Sequence, residues 1–197
     1  MSVSLYDALK SSYGDRRSKE KLKNAGYNYD SMLSNHNQQV WYNPNDKKML
    51  FNVAGTHNLK DWGTDLYLAL GSLKNTNRYK EAQNTLNEAK RKYGNNIKTN
   101  ITGHSLGSSI GQKITSKNDN DKFYGLDAGY TIGQKTRSYN GNQQHYRTDG
   151  DIVSLLGSGA KNMTTLKNPN LKTGIVPLDV LKSHNVENIK DENIFID

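Results

Sequence analysis

Residues 99–112 read Thr-Asn-Ile-Thr-Gly-His-Ser-Leu-Gly-Ser-Ser-Ile-Gly-Gln. The first four are mostly β-branched and predict a strand, and the small and apolar residues that follow at helical spacing predict a helix. Between the two stands Ser105, with glycine two residues to either side, Gly103 and Gly107. A serine on so tight a strand-to-helix turn has strained backbone angles, and the two elements approach closely enough that the flanking positions must be small. The turn also leaves Ser105 at the positive N-terminal end of the helix, where negative charge is stabilised. Gly-x-Ser-x-Gly in this context marks Ser105 as a candidate nucleophile; the plain alternative is a turn residue.

Serine is a weak nucleophile unless a histidine takes its proton and a carboxylate orients that histidine. In folds built around such an elbow the chain order is Ser, then Asp or Glu, then His. Two histidines follow Ser105, His145 and His184. His145 lies inside the strand-like run 144–148, whereas His184 lies in a predicted loop near the C-terminal end of the sequence, and His184 is the favoured base. Asp127, Asp149 and Asp151 are the candidate acids. Asp151 is favoured because it closes a strand and precedes the apolar residues 152–156, which would anchor its loop. Asp149 is second, with Asp149-Gly150 readable as a plain turn; Asp127 reads either as an acid or as a turn cap before Ala128-Gly129. Acyl transfer also needs donors for an oxyanion. The Leu106 backbone N–H is one candidate, and Thr56, after the strand-like run 49–54, is the other.

The wider pattern supplies a frame for that site. One or two short helices are expected before Asn24, with Leu5, Ala8 and Leu9 on one face. Residues 40–42 and 49–54 predict a hairpin around Asn43-Pro44-Asn45-Asp46. A helix is expected from Asp61 to Gly71, and a longer one over 78–93, stopped by Gly94. Further strands are expected over 123–127, 144–148 and, weakly, 163–166, with a short helix near 178–181. Helices alternating with short buried-type strands give an α/β class: a mostly parallel central sheet with helices on both faces. The 197 residues fit one domain, with residues 1–37 as a helical N-terminal extension packed on it.

Composition narrows the chemistry. The chain has no cysteine, which excludes disulfides, thiolate metal sites and cysteine nucleophiles. No clustered metal-ligand spacing is visible, so neither metal nor cofactor is expected. The net charge of +8 is spread over scattered lysines in a Lys- and Asn-rich chain. It reads mainly as compositional bias, and secondarily as affinity for an anionic membrane surface. No nucleic-acid motif accompanies it, so no nucleic-acid partner is expected. No stretch approaches the ~20 apolar residues of a membrane span, and no signal peptide is recognisable. The expected location is cytoplasmic or virion-associated.

Four blocks together resemble the class 3, fungal-type lipases of the α/β-hydrolase superfamily. Residues 51–56, Phe-Asn-Val-Ala-Gly-Thr, resemble the family's strand ending in Arg-Gly-Thr or Arg-Gly-Ser. Residues 61–66, Asp-Trp-Gly-Thr-Asp-Leu, are similar to its Asp-Trp-x-x-Asp-Leu block. Residues 102–107 resemble its Thr-Gly-His-Ser-Leu-Gly elbow, and 150–153 its Asn-Asp-Ile-Val acid segment. The resemblance runs from about residue 38 to 187 and keeps the order of the blocks. It implies a carboxylic ester hydrolase (lipase, esterase or phospholipase A) acting on lipid esters. Ser105 would be its nucleophile, Asp151 its acid, His184 its base, and Thr56 with Leu106 its oxyanion hole. Two positions depart from the pattern: Ala54 replaces the arginine before Gly55, and Ser108 replaces a third elbow glycine. The family's lid would fall on 57–70, where Leu59, Trp62 and Leu66 make an apolar face; an ordinary core helix accounts for them equally well. The composition is also similar to that of small lipase-like proteins of large DNA viruses and their satellites. The competing expectation is therefore an inactive lipase-like module, for example a particle component.

Overall fold

In strand β4 (Lys48–Val53), Met49, Phe51 and Val53 alternate with Leu50 and Asn52, and all five are buried. A strand buried on both faces has to lie inside a sheet covered on both sides. The computed structural model, which describes residues 2–56, 71–116, 120–129, 141–151, 153–154, 162–168 and 183–196, shows such a sheet. Its strands are β2 (Asn28–Tyr29), β3 (Gln38–Asn43), β4, β5 (Lys98–His104), β6 (Asp121–Leu126), β7 (Gln143–Thr148) and β8 (Met163–Leu166), ordered β2-β3-β4-β5-β6-β7-β8. β2 and β3 run antiparallel to their neighbours, and every pair from β4 to β8 is parallel. The fold is the mostly parallel α/β class expected, including the hairpin of β3 and β4.

One face carries α3 (Asn77–Tyr93) and α4 (Leu106–Ile114), whose Ala82, Leu86, Ala89 and Ile110 pack with Met49, Phe51, Ile101 and Phe123. The other carries α1 (Leu5–Ser12) and α2 (Arg16–Asn24), whose Leu5, Leu9 and Leu22 pack with Trp41, Leu50 and Tyr124. Each of these large side chains contributes roughly 1.5–3 kcal/mol by leaving water. Helix starts follow the local chemistry: Ser4, Asp15 and Thr76 each accept a backbone N–H of the first turn. Gly94 ends α3 at φ 122, a conformation costly for any residue with a Cβ.

α1 is locked to the sheet by buried polar groups as well as by packing. Asn52 donates to Ala8 O and Ser11 Oγ and accepts from Thr102 Oγ1 at 2.7 Å. Gln39 donates to Ser11 O and accepts from Trp41 Nε1. Beside the main sheet, β1 (Val3–Ser4) pairs with β9 (Phe195–Ile196), with Val3 opposite Ile196. No described helix is long and apolar enough to cross a membrane. The helix expected over 61–71 lies, apart from Gly71, outside the described residues, as do the one near 178–181 and the proposed lid 57–70.

Candidate active site

β5 runs straight into α4, and Ser105 is the single residue between them, at φ 57 and ψ −125. Only a forced geometry holds a non-glycine residue in that region. The forcing is steric. A Cβ on Gly103 would collide with the backbone of Gly107, and one on Gly107 would collide with the Val53 and Ala54 carbonyls. The helix therefore starts directly against β4 and β5, and Ser105 N–H is tied to Leu126 O at 3.0 Å. Ser108 departs from the resembled pattern, and its buried Oγ occupies the space that a side chain on Gly125 would fill.

The C-terminal ends of the parallel strands bring the other candidates together. Asp151 follows β7 and is fully buried. Its Oδ1 is 2.9 Å from Nδ1 of His184, whose side chain is also fully buried. The Val153 and Ser154 N–H groups and the Ser154 hydroxyl, at 2.5 Å, also donate to the Asp151 carboxylate. Burial pushes the Asp151 carboxyl up, but the His184 hydrogen bond and charge, together with Ser154, outweigh it and hold the group below its ordinary value.

Ser105 and His184 line one cavity of about 250 Å³, together with Lys10, Tyr13, Thr56 and His104. Thr56 follows the end of β4 and Leu106 opens α4, so both expected oxyanion donors flank Ser105 in the fold. Among the described residues Ser105 Oγ has no hydrogen-bond partner.

Of the less favoured candidates, Asp127 lies beside His184, whereas Asp149 and His145 sit elsewhere. Asp149 is exposed, in a turn completed by Gly150 at φ 80. His145 is a buried β7 residue against Phe123, held down at about 3 by burial, and does not line the cavity.

Two residues around the site, Tyr13 and Arg78, carry no sequence signal that singles them out, while His104 is the histidine of the elbow motif. Tyr13, just past α1, accepts the Gly55 N–H at 3.0 Å, and its hydroxyl is 2.7 Å from His104 Nδ1. Since that hydroxyl already accepts from Gly55, its own proton is available to His104 Nδ1. Burial raises the Tyr13 phenol to about 12, against the opposing effects of Gly55 and Arg78. Burial, and then the charge of His184, hold His104 well below its ordinary value, so its imidazole is neutral; its ring is 4.8 Å from that of His184. Arg78, at the start of α3, donates to Ala54 O at 2.7 Å.

Ligand atoms of His104, Asp127 and His184, all buried, lie within 4.8 Å of one another. One nitrogen of each imidazole is already engaged, by Tyr13 or by Asp151, and we read the group as part of an acid–base network.

No protein-family model and no curated protein sequence matches the chain. Solved structures do match. The chain is similar to the triacylglyceride lipase of Rhizomucor miehei, with TM-score 0.50 and 13% identity over 93% of this chain and 90% of that one. It is similar to the extracellular lipase LipA of Serratia marcescens, with TM-score 0.53 and 12% identity over 89% of this chain and 40% of that one. The match to the Lip2 lipase of Yarrowia lipolytica has TM-score 0.43 and 16% identity over 65% of this chain, which spans 59% of that lipase. At such identities the likeness is one of fold. Together with the mostly parallel, two-sided sheet, it shows that the protein has the α/β-hydrolase fold in the form seen in fungal-type lipases.

Proposed function

We propose that the protein is a serine hydrolase of carboxylic esters, with lipid esters as its substrate class. The observation that carries this reading is the buried Asp151–His184 pair, 2.9 Å apart, bordering the same cavity as Ser105 on its strained turn.

Ser105 Oγ attacks the ester carbonyl carbon while His184 takes the hydroxyl proton on Nε2. Asp151 holds Nδ1–H and stabilises the imidazolium that forms. The carbonyl oxygen becomes an oxyanion, held by the Leu106 N–H at the head of α4 and by the Thr56 N–H or hydroxyl. As the C–O bond breaks, His184 returns the proton to the departing alkoxide. Water then attacks the acyl-enzyme, again losing its proton to His184, and Ser105 is released with the carboxylic acid. The fold likeness to lipases supports a lipid ester, and the net charge of +8 supports action at an anionic interface.

The test is hydrolysis of short and long p-nitrophenyl esters and of a phospholipid, beside Ser105→Ala. Turnover that disappears in the variant supports the reading, and the chain-length profile separates esterase from lipase or phospholipase. A protein that hydrolyses none of them and is not labelled by a fluorophosphonate is an inactive scaffold, and the reading fails.

A further inference from the structure

Among the described residues, Asp127 is the one fully buried carboxylate beside the candidate triad to which the mechanism gives no work. It follows β6 directly, as Asp151 follows the next strand, and its N–H is bonded to Tyr146 O across the pair. It is held at φ 48, in the left-handed region. Its Oδ1 accepts from Thr148 N–H at 2.6 Å and its Oδ2 from Thr148 Oγ1 at 2.9 Å. Among the described residues no lysine or arginine forms a salt bridge with it. A turn cap needs only an oxygen, which asparagine supplies without burying a charge.

Two contacts point the carboxylate toward His184. An oxygen of Asp127 lies within 4.8 Å of a ring nitrogen of His184 and of one of His104. Ser154 Oγ stands between the two acids, 2.5 Å from Asp151 Oδ2 and 3.5 Å from Asp127 Oδ1. A hydroxyl has one proton, and Asp151 holds it in this arrangement; the same hydroxyl can turn to Asp127 when Asp151 no longer attracts it.

We propose that Asp127 is a second orienting carboxylate for His184, supplied by the neighbouring strand end, which takes over the imidazole when Asp151 is neutralised or removed. The inference rests on the hydrolase reading for its consequences in catalysis, though not for its electrostatics. The described groups facing Asp127 fit the role. Asp151 opposes its charge, His184 favours it, His104 is neutral, and Arg147 Nη2 donates to the Asp151 carbonyl at 3.2 Å. Burial and then the Asp151 charge raise the Asp127 carboxyl to about 7, so loss of the Asp151 charge would itself favour the ionised, imidazole-binding form.

The experiment compares wild type, Asp151→Asn, Asp127→Asn and the double variant on a soluble p-nitrophenyl ester, with circular dichroism to confirm folding. Loss of a triad aspartate with no substitute costs about 10⁴-fold in kcat. The expected result is that Asp151→Asn retains at least about tenfold more activity than the double variant, and that this residual rate rises with pH as Asp127 ionises. Equal rates for Asp151→Asn and the double variant overturn the proposal. Should Asp127→Asn not fold, Thr148→Val in the Asp151→Asn background frees Asp127 Oδ2; a higher residual rate supports the role, and an unchanged one counts against it. A readout without turnover is the imidazole titration of His184 by NMR in Ser105→Ala. With Asp151→Asn also in place, adding Asp127→Asn must shift the His184 titration downward, and an unmoved titration in that background is the other overturning result. Absent turnover and absent fluorophosphonate labelling in wild type would end the hydrolase reading, while the titration would still report on Asp127.

Discussion

The Arg78 guanidinium donates to the Ala54 carbonyl at 2.7 Å, closing from α3 the strand end whose next residues are Gly55 and Thr56. Ala54 stands where the resembled family has an arginine of its own, so the cation at this corner comes from a different part of the chain. Burial lowers the Arg78 pKa, against the opposing charge of Glu81, which fits a desolvated anchor rather than a surface charge. Together with Tyr13 on the Gly55 N–H, it fixes the approach of Thr56 to Ser105. On the proposed mechanism, Arg78→Ala is expected to lower kcat about tenfold, with KM for a short ester little changed, because it would loosen Thr56, the proposed transition-state donor. Steady-state kinetics on p-nitrophenyl butyrate check it.

Backbone strain at Ser105 makes a prediction with opposite signs for stability and activity. At φ 57 and ψ −125, glycine is comfortable and serine is not. Ser105→Gly should abolish ester hydrolysis and at the same time raise stability by about 1 kcal/mol. Urea unfolding of the two proteins reads the second half. A variant no more stable than wild type would mean that the turn stores no strain.

At Gly107 the prediction is collapse of the junction. An added methyl meets the Val53 and Ala54 carbonyls, which are backbone and cannot turn aside. Gly107→Ala is therefore expected to destabilise the fold by about 3 kcal/mol or more and to detach α4 from β4. Thermal unfolding gives the shift, and a midpoint within a few degrees of wild type contradicts it.

Acid sensitivity follows from buried histidines. His145 takes up its proton at about 3 in the folded protein, and at about 6.5 when unfolded. As pH falls below about 6.5 the unfolded chain binds a proton that the folded one refuses, and stability falls. His104 acts in the same direction. Asp127 acts in the opposite one. Its folded carboxyl is raised to about 7, so it binds a proton more readily in the folded state, and its contribution is lost as pH rises toward 7. Two histidines against one acid leave a net loss toward acid, on the order of 1.4 kcal/mol per pH unit. His145→Gln removes one histidine, and urea midpoints between about pH 4.5 and 6 should become nearly independent of pH. A slope as steep as wild type would show that His145 is protonated in the fold.

What the sequence discloses and what it hides divide along physical lines. The elbow is legible because its steric demand is local: strand, glycine, serine, glycine and helix are neighbours in the chain. β4 and its hairpin are legible for the same reason. The strand expected over 123–127 ends at Leu126, because Asp127 turns into the left-handed region, which periodicity does not register. Chain order together with strand and loop context favours Asp151 and His184, which the fold does bring together, and the turn at Asp149-Gly150 separates Asp149 from its buried neighbour. Tyr13, Arg78 and the placement of Asp127 beside His184 are not legible. Each reaches its partner across 24 to 91 positions or through the side-by-side packing of two strand ends, and nothing local encodes that distance.

The antiparallel pairing of Val3 with Ile196 also has a consequence for how the two sides of the cavity are held. Because β1 leads into α1 and Tyr13, while the segment before β9 holds Val186 and His184, both flanks of the cavity are attached to this small ribbon. The ribbon therefore couples the two flanks, so that a substitution breaking the Val3–Ile196 pair would loosen the Tyr13 side and the His184 side together.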